Sequence, residues 1–300
     1  MQEGKYKKAE KYYDSVFGEV ETESLPFPDV TGKAPEKGYL ERKLTVAEDK
    51  ILSCCEKLGV TPNILFTGVF GILMSRYSNS DDSLFSTIYN GRNDSRLENT
   101  VCMLVKTLPV YCKFEAKTTI QAYMTELSEQ LLSSMANDIF PFSDICAKYG
   151  FNSDLTFAYQ AELSDDYPIG DTVARGHDLS LDMAKMPLLI QVREYNNEYV
   201  LTAEFRSDRY SDAFVAGMLE AYEAAMDSML KNKYVSEVSI LSENAVKKIA
   251  EFNDTACKYD RTKTISDRFT EMVQTIPDHT AVVFKDKKYT YKELDEISDR

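Results

Sequence analysis

The chain has 300 residues, 43% of them hydrophobic and 28% charged, a composition typical of a globular protein with one large domain or two ordinary ones. Its formal net charge of −14 repels phosphate backbones, which argues against nucleic acid as a partner. The longest apolar run, near residues 64–74, is too short to span a bilayer, and the N-terminal sequence lacks the apolar core of a secretory signal, so neither a membrane nor secretion is expected.

The first eighty residues predict three helices and a short strand. Residues 1–18 place aromatic side chains on one side of a helix, and residues 39–44 form the strand. The pattern Thr45-x-x-Glu48 is a capping box, which predicts the start of the second helix. Thr61 followed by proline is a good start for the third helix, which is apolar nearly all round and is therefore expected to be buried.

The next hundred residues combine strands, a long helix and an acidic segment. Residues 83–89 alternate in polarity and predict a strand. Residues 101–114 favour β-structure, and the run is predicted to break at Pro109. Residues 118–135 have apolar side chains at helical spacing, whereas the acidic residues within 161–176 predict a solvated loop.

Three further strands and a long helix complete the main part of the chain. The strands are predicted at residues 178–183, 188–195 and 199–205, the last two joined as a hairpin. A serine caps the helix predicted over residues 211–230. Helices and strands are interleaved without strict alternation, which predicts an α/β fold with a mixed β-sheet covered by helices.

Few residues could perform nucleophilic or metal chemistry. The six cysteines show no CxxC spacing and have no neighbouring histidine, so we interpret them as reduced thiols of a cytoplasmic protein and expect no metal site. His177 begins a predicted strand and His279 lies in a predicted loop, and we favour a packing or surface role for each. The cysteines are at positions 54, 55, 102, 112, 146 and 257.

Seven segments occur in an order that is typical of one enzyme family. They are AEKYYDSVFG (9–18), NILFTGVFGILMSRY (63–77), NGR (90–92), VCMLVKTLPVYC (101–112), NDIFPFSD (137–144), FNSDLTFAYQ (151–160) and HDLSLD (177–182). Each is a weak signal alone. Together they resemble the C-terminal lobe of a condensation domain of nonribosomal peptide synthetases, which has a chloramphenicol-acetyltransferase-like fold.

The sequence departs from the family pattern at five positions. Tyr13 stands where the family usually has Trp, Cys102 where it has Gly, Leu104 where it has Phe, Lys106 where it has Asn, and Cys112 where it has Arg. Replacing glycine by cysteine removes backbone freedom, and the lysine adds a cation near the expected substrate tunnel. These departures keep open a non-catalytic role as a platform for carrier docking.

Residues 249–300 resemble the opening of an adenylation domain. Four residues match the family's LTYxEL element, in which Tyr289 replaces the first Leu. The resemblance implies that this element supports the fold away from the nucleotide, and the chain has no glycine-rich loop for phosphate. The matching residues are Thr290, Tyr291, Glu293 and Leu294.

The predicted domain organisation has three parts. Residues 1–235 are the C-terminal condensation lobe, residues 236–260 are a linker helix, and residues 261–300 are a truncated adenylation, or AMP-binding, start. We expect residues 260–300 to be easily proteolysed, because their strands lack sheet partners. We also expect the lobe to expose apolar surface where its N-terminal partner lobe packs.

The resemblance implies amide formation between an upstream acyl or peptidyl thioester and the amine of an aminoacyl thioester. This reaction requires orientation of the amine, help with a proton and stabilisation of an oxyanion. The family uses an HHxxxDG motif, which belongs to the N-terminal lobe and does not occur in this sequence. No catalytic residue is therefore expected in this chain, and the chain alone is predicted to be inactive.

By resemblance, five residues are expected beside the tunnel between the two lobes. They are Gly91, Arg92, Lys106, Thr107 and Asp178. Arg92 has an equally weighted alternative as a structural salt-bridge residue. For Thr107 we favour a role as a β-branched strand residue, and for Asp178 a structural role.

The resemblance also predicts cofactors and partners. No cofactor is expected on this chain, whereas phosphopantetheine is expected on partner carrier domains, and ATP and Mg in a complete adenylation domain. The expected partners are the N-terminal condensation lobe, peptidyl carrier domains and the adenylation domain of the same module. The alternatives are the carrier-docking platform and a related acyltransferase of the same fold.

Overall fold

The structure is a computed structural model that describes residues 2–18, 20, 24–92, 95–97, 100–115, 117–150, 154–161, 166–175, 182–195 and 198–299. The chain divides into two compact units, Met1–Val246 and Lys247–Arg300. The division lies within the region predicted as a linker.

A six-stranded sheet organises the first unit, with strand order β1-β8-β7-β4-β2-β3. β2 pairs with β4 and β4 with β7 in parallel, while the other neighbours are antiparallel. The predicted α/β class with a mixed sheet is thus confirmed. The strands are β1 (Lys37–Lys43), β2 (Asp82–Tyr89), β3 (Lys106–Lys113), β4 (Leu155–Gln160), β7 (Leu188–Tyr195) and β8 (Glu198–Arg206), and a separate hairpin contains β5 (Asp166–Ile169) and β6 (Thr172–Arg175).

Helices cover this sheet. They are α1 (Gln2–Phe17), α2 (Glu48–Leu58), α3 (Pro62–Tyr77), α4 (Ile120–Ala136), α5 (Phe142–Tyr149) and α6 (Asp212–Met229), and α7 (Glu243–Asn253) contains the division between the units. The prediction of a buried third helix is confirmed. Thr61 caps α3, and the Phe70 ring of α3 lies 4.9 Å from the rings of Phe85 and Phe157.

No single helix among the described residues has the length and apolar composition required to cross a bilayer. The pair α2 and α3 meets these criteria together, although the two helices meet at 92°. Twelve of the sixteen residues of α3 are buried in the protein interior, which accounts for its apolar composition.

The predicted capping box at Thr45 is wrong. Helix α2 begins at Glu48 after Ala47, whose side chain makes no capping hydrogen bond. The backbone N–H of Thr45 donates to a carboxylate oxygen of Glu223 over 2.7 Å, and its hydroxyl donates to the same oxygen over 2.5 Å. The Thr45 hydroxyl therefore bonds to the Glu223 carboxylate of α6 and not to the backbone at the start of α2.

The predicted break at Pro109 is also wrong. Strand β3 continues through Pro109, which lies opposite Ser86 of β2, whereas the predicted β-structure over residues 101–105 is absent. β3 is the last strand of the sheet, and an edge strand tolerates a residue that has no N–H donor.

β2 is a strand as predicted, but its burial does not alternate. Residues 83–87 are all buried. Phe85 packs on α3, and Leu84 belongs to a second apolar cluster with Tyr13 and Phe17 of α1. Because helices cover both faces of the sheet, the polar and the apolar side chains of these residues are both shielded from solvent.

Two elements were missed by the sequence prediction. The segment predicted as an acidic loop contains the β5–β6 hairpin, which turns at Gly170. Helix α5 was not predicted, and it ends at Gly150 with φ of 76°. The strand predicted at residues 178–183 lies mostly outside the described residues.

The second unit is built from local elements. Helix α8 (Ile265–Thr275) precedes the antiparallel pair β9 (Thr280–Phe284) and β10 (Lys287–Thr290), and α9 (Tyr291–Ser298) follows. The expectation that these strands lack partners is wrong, because they pair with each other. No residue of α8 or α9 is buried.

Candidate functional site

Four of the five predicted tunnel residues lie at the end of the sheet where β2 ends and β3 begins. We call residues 88–92, 100–107 and 138–139 the β2–β3 rim. It contains Gly91, Arg92, Lys106 and Thr107, and the pairing of Tyr89 with Lys106 holds the two strand ends together. Asp178 and its neighbour His177 lie outside the described residues.

Gly91 turns the chain at the end of β2. Its φ of 69° is in the left-handed region, which favours glycine. A Cβ atom at this position would lie 2.1 Å from the carbonyl oxygen of Leu104, so the two backbone segments approach too closely for any side chain. The glycine therefore brings the segment before β3 against the end of β2.

The guanidinium group of Arg92 organises the segment that follows. It donates to the carbonyl oxygens of Leu97, Thr100 and Cys102 over 2.5, 3.0 and 3.2 Å. The backbone N–H of Arg92 donates to the side-chain oxygen of Asn90 over 3.0 Å. In this structure the Arg92 side chain thus holds three backbone carbonyl groups of the segment between β2 and β3, and its place beside a tunnel stays a prediction.

Lys106 and Thr107 have different surroundings. The Lys106 ammonium lies 2.9 Å from a carboxylate oxygen of Asp138 and donates to the carbonyl oxygen of Asp138 over 3.2 Å. Thr107 is half-buried opposite Ile88. The added cation is thus neutralised by Asp138, which was not predicted as a site residue although it lies within the NDIFPFSD segment.

The rim exposes apolar side chains. Val101 is fully exposed and Met103 is 84% exposed, and three further apolar residues are between 38% and 47% exposed. Such side chains are usually covered by another surface when they are grouped. The three are Ile88, Val105 and Ile139.

The rim provides hydrogen-bond donors and apolar surface, and its described residues include no histidine. No three His, Cys, Asp or Glu side chains of the described ranges are placed to hold a metal ion. The rim can bind and orient a partner or substrate, and its Asp138 carboxylate is paired with the Lys106 ammonium over 2.9 Å.

Burial shifts the pKa values of some groups in the protein interior. Burial raises the pKa of Cys112 to about 12 and that of Tyr123 well above its ordinary value. The Tyr123 hydroxyl donates to the carbonyl oxygen of Gly68 over 2.9 Å. These groups contribute to packing between β3, α3 and α4, so their shifted pKa values do not indicate a catalytic site.

The four residues that match the LTYxEL element lie at the start of α9, in the second unit. Thr290 and Glu293 form a reciprocal capping box at the start of α9, with backbone-to-side-chain distances of 2.9 and 3.2 Å. The Tyr291 ring lies 6.1 Å from the ring of Phe269, and Leu294 is half-buried.

Known proteins are similar to this chain in sequence. Gramicidin S synthase 2 of Brevibacillus brevis is 27% identical over 307 residues, covering 96% of this chain and 7% of that protein. Surfactin synthase subunit 1 of Bacillus subtilis (strain 168) is 24% identical over 311 residues, covering 98% of this chain and 9% of that protein. The chain thus spans less than a tenth of these relatives.

Solved structures are similar in fold. A four-domain nonribosomal peptide synthetase bound to AMP and glycine matches with a TM-score of 0.68 and 16% identity, covering 95% of this chain and 24% of that one. The first condensation domain of the calcium-dependent antibiotic synthetase matches with a TM-score of 0.62 and 16% identity, covering 79% of this chain and 53% of that one. These likenesses support the chloramphenicol-acetyltransferase-like fold.

The family model of the condensation domain matches residues 1–250, well over half of the sequence. The match includes the whole six-stranded sheet and the β2–β3 rim. The chain therefore belongs to the condensation domain family of nonribosomal peptide synthetases.

Proposed function

We propose that residues 1–235 are the C-terminal lobe of a condensation domain that, when complete, forms amide bonds between carrier-bound acyl or peptidyl thioesters and carrier-bound aminoacyl thioesters. The chain alone is proposed to be inactive, because the histidine motif lies in the other lobe. The comparisons do not favour the carrier-docking platform or the related acyltransferase.

One observation carries the lobe assignment. The chain covers only 53% of the first condensation domain of the calcium-dependent antibiotic synthetase, although 79% of the chain is matched. A chain that aligns over most of its own length with about half of a condensation-domain structure is consistent with one of two lobes. The motif order in the sequence favours the C-terminal one.

The rim is the part of this lobe that we assign to the tunnel. Gly91 and Arg92 shape residues 100–105, and the exposed Val101 and Met103 would be covered by the N-terminal lobe. Lys106, held by Asp138, and Thr107 would line the entrance for the phosphopantetheine arm. Asp178 stays a prediction for the same surface.

The second part of the proposal concerns the domain organisation, with a linker at residues 236–260 and an adenylation start at residues 261–300. It is supported by the curated relatives, which match 96% and 98% of the chain and so extend past the family model, which ends at residue 250. ATP and Mg would bind only a complete adenylation domain, because this sequence has no glycine-rich loop for phosphate.

The proposed partners are therefore the N-terminal lobe, carrier domains bearing phosphopantetheine, and the adenylation domain of the same module. The proposed location is the cytoplasm, a compartment in which free cysteines such as the six of this chain stay reduced.

Amide formation tests the proposal. The 300-residue chain is compared with the same chain extended upstream through the histidine-bearing lobe, with a carrier-bound acyl donor and a carrier-bound aminoacyl acceptor. We expect product only from the extended protein. Product from the shorter chain above the uncatalysed rate would contradict the lobe assignment, and an extended protein that forms no amide would contradict the reaction.

A matched pair of variants locates the interface between the lobes. Met103→Asp, in the extended protein, places a charge on a residue that we expect to be covered, whereas Phe27→Asp changes a side chain of nearly equal exposure (84% and 85%) outside the rim. We expect the first variant to lose most of its activity and the second to retain it.

A further inference from the structure

An open groove of about 940 Å³ lies in the first unit, away from the β2–β3 rim. One wall is α2, the opposite wall is the end of α6 with residues 231–233, and the first turn of α4 closes the floor. The volume is in the range that holds a small organic ligand. The walls lie some 170 residues apart in sequence, so no local motif could have indicated this groove.

Lysines line both walls. Lys50 and Lys57 are seven residues apart on α2, which places them on one side of the helix and about 10 Å apart along its axis. Lys231 and Lys233 line the other wall, where the Lys233 ammonium lies 5.3 Å from the centre of the Tyr234 ring. Four lysines and only two lining aspartates give this groove a positive charge in a protein of net charge −14.

The positive charge is only partly compensated. Lys231 forms a salt bridge with Asp227. Lys50, Lys57 and Lys233 are outside the salt bridges found among the described parts of the chain. Burial raises the pKa of the Cys54 thiol, which also lines the groove, and the nearby Lys57 ammonium opposes this rise.

The floor between the lysines is largely apolar and is fixed by hydrogen bonds. Leu58, Ile120 and Leu230 contribute to it. The side-chain amide of Gln121 donates to the carbonyl oxygen of Leu58 over 2.9 Å, and the Ile120 N–H donates to the carbonyl oxygen of Lys233 over 2.9 Å. These bonds join the first turn of α4 to both walls, so the groove exists before any ligand binds.

We propose that this groove binds a small amphiphilic anion, with its apolar body on the Leu58–Ile120–Leu230 floor and its carboxylate or phosphate head between the two pairs of lysines. Charge complementarity selects an anion, and the apolar floor selects a molecule with an aliphatic or aromatic body. The volume suits a small molecule better than a helix of another protein. The inference goes beyond the proposed function and does not depend on it.

Calorimetric titration of the 300-residue chain tests the proposal with three probes below their micelle-forming concentrations. The probes are dodecanoate, dodecyl phosphate and the uncharged dodecyl maltoside. We expect at least one of the two anions to bind with a stoichiometry of one, the tighter one identifying the head group, and the uncharged probe not to bind. We also expect the affinity to fall as salt is added.

Three variants localise the site. Lys57→Gln with Lys233→Gln should weaken binding about fivefold or more, since each exposed charge contributes modestly. Ser53→Trp should abolish binding by filling the groove without changing its charge. The matched control, Lys5→Gln with Lys8→Gln, removes two exposed lysines of α1 and should bind like the unmodified chain.

Absence of binding by both anions would overturn the proposal, and so would either of two further results. One is equal affinity of the Lys57/Lys233 variant and the unmodified chain. The other is binding of the uncharged probe as tight as that of the anions, which would indicate nonspecific adsorption. Neither result bears on amide formation by the extended protein, so the two proposals fail separately.

Discussion

The two units of this chain are stabilised in different ways. In the first, side chains from α3, α6 and the sheet form one large buried core. In the second, α8 and α9 have no buried residue, and each begins with a complete capping box. Burial between distant residues thus specifies the first unit, whereas hydrogen bonds between residues three apart define the helix ends of the second.

The largest expected effect is the loss of a core aromatic side chain. Phe70→Ala should lower the free energy of unfolding of the first unit by about 3–5 kcal/mol, because Phe70 is fully buried between Phe85 and Phe157. Phe284→Ala removes a 66% exposed ring from the second unit and should cost less than about 0.5 kcal/mol. Denaturant titration measures both, and similar costs would invalidate the contrast between the units.

The second prediction concerns how much the close backbone approach at Gly91, in the β2–β3 rim, contributes to the stability of the first unit. Gly91→Ala should cost about 2–3 kcal/mol, because it adds a contact with the Leu104 carbonyl to the strain of a positive φ. Gly32→Ala is the control: its φ is 79°, nothing lies within 4 Å of its Cβ position, and it should cost about 1 kcal/mol. Equal costs in thermal unfolding would mean that the close approach adds nothing.

The third prediction concerns pH. Burial raises the pKa of Glu223, but hydrogen bonds from Thr45 and Arg42 outweigh it and leave the pKa below its ordinary value. A lowered pKa stabilises the fold above the unfolded-state pKa, and this stability is lost as the pH falls through the folded-state value.

Glu223→Gln should therefore cost about 2 kcal/mol at pH 7 and reduce the loss of stability between about pH 5 and pH 3. Denaturant titrations across this range measure the slope. Glu129→Gln, an exposed carboxylate on α4, should leave both quantities unchanged. A steeper slope for the Glu223 variant would contradict the assigned sign.

The smallest expected effect tests most directly whether the two units unfold independently. Thr264→Ala removes the cap of α8 and should cost about 1 kcal/mol, seen as faster amide exchange in α8 without a change in the first unit. Thr61→Ala removes a cap of α3 and should instead lower the stability of the whole first unit. Faster exchange in the β-sheet after Thr264→Ala would show that the units unfold together.

Elements defined by local pattern were predictable from the sequence. The all-round apolar composition and Thr61 cap of α3, the Ser211 cap of α6 and the β7–β8 strands are all present where they were predicted. The elements that failed depend on distant partners. Thr45 bonds to a carboxylate 178 residues away, and Pro109 is tolerated because of the position of β3 in the sheet.

The candidate site shows the same limit. The resemblance placed Gly91, Arg92, Lys106 and Thr107 together, and the structure brings these residues to one end of the sheet. The resemblance could not predict that Arg92 bonds to three carbonyl oxygens or that Lys106 pairs with Asp138. Such side-chain partners depend on how the loops fold.

The most direct test of the lobe assignment is amide hydrogen exchange at the β2–β3 rim. Exchange is measured for the 300-residue chain and for the chain extended upstream through the histidine-bearing lobe. We predict that amides of residues 100–105 and 139 exchange at least about tenfold more slowly in the extended protein, because the second lobe covers them. Unchanged exchange at these residues, with a folded second lobe, would contradict the assignment.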